Sequence, residues 1–153
     1  MLDTHSPMND NFRRDREVAD VSLLDPTSPN AFEAGEFLVI DTSRKLARIG
    51  VTSVPSVLQI FTPRGDYSAQ AIGKLAVIEL SEYEASTDMY ADGGGGFVMG
   101  QGLTAKQITV DAVTRSGLTQ AATGEFVVAH VTDLPANNAG KIKFKRISPY
   151  VAP

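Results

Sequence analysis

The side chains that could carry chemistry are few. The chain has two histidines, His5 and His130, and no cysteine. Thiol nucleophiles, thiolate metal centres and disulfides are thereby excluded. The histidines lie near opposite ends of the chain, and zinc ligation draws on clustered imidazole, thiolate or carboxylate groups. A catalytic His130 would need a nucleophile and an orienting carboxylate, and the spacing supplies neither.

A glycine-dense run invites a phosphate-binding reading. Residues 93–102 hold Gly93, Gly94, Gly95, Gly96, Gly100 and Gly102. A dinucleotide fingerprint started at Gly94 and Gly96 meets Met99 at its third glycine position, and a P-loop started at Gly95 and Gly100 meets Gln101 and Gly102 in place of lysine and hydroxyl. The run is expected to be a loop that is flexible or ordered by a partner. Asp88, Asp92 and Gly93 open like a calcium loop, but Tyr90 stands at the third position and Met99 at the twelfth. Glu79, Glu82 and Glu84 cluster, yet acid–base work needs one carboxyl raised by burial, and carboxylates near a strand end are expected to be solvated. Arg64-Gly65-Asp66 follows Pro63 in a turn sequence, where it serves either as ordinary turn chemistry or as an adhesion ligand. The expectation is no catalytic residue, no bound metal and no cofactor.

Composition bounds the rest. The chain has 153 residues, 42% hydrophobic and 21% charged, with a net charge of −4. One compact domain, with or without an arm, fits that length. A mildly acidic total argues against broad attraction to nucleic acid, no apolar run approaches ~18 residues, and the first residues do not read as a secretory signal. Charge is uneven. Residues 1–34 carry seven acids and three bases; residues 141–153 carry Lys141, Lys143, Lys145 and Arg146 and no acid.

The elements must position what binding chemistry remains. Residues 1–34 contain Pro7, Pro26 and Pro29 and no sustained periodicity, and read as an extended arm dotted with Phe12, Val18, Val21, Leu23, Leu24 and Phe32. A short helix over 11–18 is compatible with its charges. From Gly35 the pattern is that of strands: 36–41, 45–49, 57–62, 72–80, 83–90, 107–113 (with Ile108, Val110 and Ala112 on one face), 126–131 and 141–147. The last alternates Lys141, Lys143 and Lys145 with Ile142 and Phe144, as expected of a sheet edge protected by cations. Short strands with closely spaced turn signals favour an all-β barrel or sandwich; the fold class is all-β, with a small β-barrel or β-tulip-like body over 35–153 behind an N-terminal arm over 1–34.

Several short stretches carry a resemblance. Leu24-Asp25-Pro26 precedes Gly35-Glu36-Phe37-Leu38-Val39-Ile40-Asp41 and Lys45-Leu46-Ala47-Arg48; Gly124-Glu125-Phe126-Val127-Val128-Ala129 and the strand to Ile147 follow. Over roughly residues 20–148 the chain resembles the small capsid decoration, or cement, proteins of tailed bacteriophages, with Phe37 where tryptophan is frequent. The resemblance implies a structural virion protein, not an enzyme, made in the host cytoplasm. It would sit on the outer capsid surface as a homo-oligomer such as a trimer and tie neighbouring major capsid subunits together, without contacting nucleic acid or membrane. Such arms lie across neighbouring subunits. That assigns partner contacts to Phe12, Leu23, Leu24 and Phe32, and to Arg13, Arg14 and Arg16, which otherwise cancel locally against Asp15 and Glu17. Deleting 1–34 would then weaken attachment and leave the body folded. A small oligomeric β-barrel enzyme or ligand-binding protein, and a tail or adhesion module, are the alternatives.

Overall fold

The computed structural model describes residues 3–4, 13–62 and 73–153. His5, Phe12 and the Arg64–Asp66 turn lie outside them. The described residues are all-β, with two 3-10 turns, at Val21–Leu24 and Pro135–Asn137, as their helical content. None forms a helix long and apolar enough to cross a membrane.

The strands are β1 (Asp3–Thr4), β2 (Arg13–Glu17), β3 (Phe37–Ile40), β4 (Leu46–Arg48), β5 (Leu58–Thr62), β6 (Lys74–Ile78), β7 (Tyr83–Thr87), β8 (Gly102–Val110), β9 (Val113–Gln120), β10 (Phe126–Asp133) and β11 (Ile142–Val151). They form two antiparallel sheets, ordered β1-β7-β11-β10-β8-β9 and β2-β6-β5-β3-β4. Both sheets are open, so the expected all-β body takes the form of two packed sheets and not of a closed barrel.

Turn chemistry sets the hairpins. Between β3 and β4 the Asp41 carboxylate accepts from the backbone N–H of Ser43 (2.9 Å) and Lys45 (3.0 Å), which lets Arg44 take φ 63°. Between β8 and β9 the turn is Asp111 and Ala112, both at positive φ (50° and 64°), closed by the Val110–Val113 pair. Two such residues match the right-handed twist of the strands. Ala112 therefore lies in the turn and not on the face of Ile108 and Val110, and the extended run after it is a separate strand, β9.

Strand alternation in the five-stranded sheet buries both of its faces. Phe37 and Leu38 are consecutive and both fully buried. Phe37 points into the core between the sheets, with its ring centroid 5.8 Å from that of Phe144. Leu38 points the other way, into a second core with Leu46, Ile60, Leu75 and Val77. That second face is covered by Val18, Leu24 and Phe32, with Leu23 packed alongside.

The expected division at residue 34 is therefore not where the packing divides. Residues 13–17 form a strand, not a helix, paired along β6 from Arg13–Ile78 to Glu17–Lys74. Val18 bridges to Leu46, and the Ala19 N–H donates to the Leu46 carbonyl (2.9 Å). A single amphipathic sheet face must be covered by something apolar, and this segment supplies the cover. The basic strand is corrected likewise: β11 lies inside its sheet between β7 and β10, so its lysines do not guard an edge.

Candidate functional site

Glycine, glutamate and phenylalanine at 35–37 build the junction from which the site is organised. Gly35 has φ +93°, and a Cβ there would come 2.3 Å from Thr87 Oγ1, so glycine is required. Glu36 is fully buried. Its Oε1 accepts from Arg48 Nε (2.9 Å) and the Ser116 N–H (3.1 Å), and its Oε2 accepts from the Glu33 N–H (2.7 Å) and Arg48 Nη2 (3.1 Å), with Arg115 Nη1 at 3.5 Å. Both arginines also donate to the Ala31 carbonyl, and the Arg48 guanidinium lies 5.0 Å from the centroid of the Phe32 ring. One carboxylate thus ties the covering segment, β4 and β9 together. The Ser116 N–H is satisfied by that carboxylate, while Leu118 of the same strand exchanges backbone bonds with Met89 and Ala91. These contacts occupy part of what would be an open sheet edge.

The candidate binding surface is a groove of about 410 Å³ where the two sheets meet. Arg16 of β2 and Glu79, just after β6, form an ion pair on one wall. Ile40, Leu80, Pro55 and Pro149 supply apolar wall, with Ile40 43% and Leu80 38% exposed. Arg146 lines the same groove but is only 6% exposed. Its Nη1 donates to the carbonyls of Val128 (3.0 Å) and Ile147, and its Nη2 to that of Val57 (3.4 Å). Burial lowers the Arg146 guanidinium below its ordinary pKa, with Tyr83 opposing the shift.

Tyr83 stands opposite Arg146 in the β7–β11 pairing. Its hydroxyl donates to Gln59 Oε1 (2.8 Å), and Gln59 Nε2 donates to the Gly35 carbonyl (3.0 Å). Burial pushes the Tyr83 phenol well above the ordinary tyrosine range, opposed by the Arg146 charge. In the unfolded chain the phenol ionises near pH ~10. The stability that Tyr83 contributes is therefore complete below that pH and lost as pH rises toward its folded value. In an alkaline titration, its phenolate absorbance should appear together with loss of β-sheet circular dichroism. Phenolate signals for all four tyrosines with the far-ultraviolet spectrum intact would contradict this.

The expected contact residues are divided by the fold. Leu24 and Phe32 face inward and Leu23 packs beside them, so these three serve the chain's own core. Arg13, Arg14 and Arg16 lie along β2, and Arg16 reaches the groove. Phe12 lies outside the described residues. The three glutamates take separate places: Glu79 pairs with Arg16, Glu82 is exposed, and Glu84 stands across from Lys145. His130 Nε2 lies 2.8 Å from the Tyr150 hydroxyl on the outward face of the other sheet.

The glycine loop is pinned within the chain. Phe97 is buried edge-on against Tyr90, and Gln120 Nε2 donates to the carbonyls of Asp92 (2.6 Å) and Gly96 (2.8 Å). Val98 and Met99 are left exposed at its tip. The period of two that turns Ile142 and Phe144 inward carries Arg146 inward too. Ile40 and Leu80 had no signal, because apolar residues at strand ends read as core. No family model, curated protein or solved structure matches this chain.

Proposed function

We propose that this chain is a structural virion protein that binds the outer surface of an assembled phage capsid and links neighbouring major capsid subunits, acting by attachment and not by turnover. The observation that carries the reading is the Gly35-Glu36-Phe37-Leu38 run, the stretch in which the resemblance to decoration proteins is densest. In this fold Phe37 and Leu38 enter the two cores, so the run serves architecture. A groove with apolar walls and charged groups offers a surface for a protein partner. Copies repeated over a lattice would convert modest single contacts into tight attachment through avidity. Anchoring through Leu24 and Phe32 has no part in the proposal, since both are interior.

The test is co-sedimentation of the purified chain with emptied, expanded capsids of the phage whose genome encodes it. Saturable binding at a fixed ratio to the major capsid protein, with added density on the outer surface by cryo-electron microscopy, is the expected result. A chain that stays in the supernatant at every capsid concentration would refute the proposal.

A further inference from the structure

Arg146 is a buried cation whose described partners are all neutral. A guanidinium presents five donors, and carboxylates take two of them side by side. Arg48 shows that arrangement in this chain, with Nε and Nη2 both on Glu36. In Arg146 the equivalent edge holds no carboxylate: among the described residues Nε has no acceptor, and Nη2 has only the Val57 carbonyl at 3.4 Å. The other charges on the groove, Arg16 and Glu79, are paired with each other. Arg146 is therefore the groove's uncompensated charge among the described residues. It shares the groove with the apolar side chains of Ile40, Leu80, Pro55 and Pro149. The volume of about 410 Å³ falls within the range of binding pockets, roughly 300–1,000 Å³.

We propose that this groove docks an extended segment of the capsid subunit in which one Asp or Glu is flanked by apolar residues, the carboxylate seated on that edge of Arg146 and the flanking side chains on Ile40 and Leu80. The partner's identity as a capsid subunit rests on the proposed function; the chemistry of the segment rests on the groove. A carboxylate arriving there gains a charge-assisted, two-pronged bond, and its apolar neighbours cover the two exposed side chains.

The probe is acetyl-Leu-Glu-Leu amide, added to the full chain and followed by amide and arginine Nε–H shifts in NMR. Saturable millimolar binding is expected, with the largest shifts at Arg146 Nε–H, Leu80 and Ser81. The glutamine analogue should bind at least about tenfold more weakly, since it loses the charge-assisted pair. Arg146→Lys should lose a similar factor. Because that variant alters a buried side chain, Leu80→Asp is the second test: it changes a rim residue, places a negative charge beside the incoming carboxylate, and should abolish the shifts. Equal binding by the glutamine peptide, the same shifts from acetate alone at equal concentration, or shifts undiminished in Leu80→Asp would each overturn the inference. Peptide binding without capsid co-sedimentation would support the groove chemistry and overturn the capsid assignment. Capsid co-sedimentation unchanged in Leu80→Asp would overturn the groove and leave the proposed function standing.

Discussion

Removal of residues 1–34 is expected to leave a chain that does not fold. The truncation strips β2 from its pairing with β6, takes away Val18, Leu24 and Phe32, and opens Leu38, Leu46, Ile60, Leu75 and Val77 to water. Each large apolar side chain so exposed forfeits about 1.5–3 kcal/mol. Five of them together approach the whole stability of an ordinary domain, about 5–15 kcal/mol. The Ala31 carbonyl that both Arg48 and Arg115 use is lost as well. This reverses the expectation for a detachable arm. Thermal melts by circular dichroism and dye binding to exposed apolar surface check it. A truncated chain that melts cooperatively at the full-length temperature would show that the segment does not belong to the core. Phe32→Ala is the milder version, with a cost of about 3–5 kcal/mol for a buried aromatic.

Glu36→Gln should be the most damaging nearly isosteric change. It removes the anion between Arg48 and Arg115 while keeping the side chain's size. Losing one member of a buried pair typically costs about 3–5 kcal/mol, because the remaining charge stays buried without compensation. Glu33, 3.8 Å from Arg115, offsets only part of this. For a chain of this length each kcal/mol moves Tm by about 2–4 °C, so a fall on the order of 10 °C is expected. Arg16→Ala is the contrast. Its pair with Glu79 is 38% and 24% exposed, and an exposed pair contributes about 0–1 kcal/mol. If Glu36→Gln and Arg16→Ala lowered Tm equally, the junction would be no more than another surface pair.

The all-β class was legible because its signal is local. The apolar runs of β-formers at Phe37–Ile40 and Leu58–Thr62 and the alternation at Ile142–Phe144 are written in neighbouring residues, and most strand positions follow from such patterns. The β8–β9 hairpin was not legible. Its turn is Asp-Ala, which lacks the Asn-Gly or Asp-Gly signal, so the apolar alternation of 107–113 runs across the turn and hides the start of β9. β2 was illegible for a related reason. Arg13–Glu17 contains no apolar residue, and its strand conformation comes from the open edge of β6 beside it.

What the sequence determined by itself was the class, the exclusion of thiol chemistry, and the failure of the glycine run to match a phosphate loop, since each depends on residue type and short spacing. What only the tertiary structure decided was which apolar residues are interior and which charges meet. Leu24 and Phe32 look like solitary residues on a polar strip until the second face of a sheet, built mainly from residues 38–77, comes to lie beneath them. Glu36 looks like an ordinary strand-end acid until Arg48 and Arg115 converge on it from two different sheets. Burial and ion pairing are properties of surfaces that meet in space. The partners at this junction lie up to 84 positions apart, beyond the reach of any local pattern.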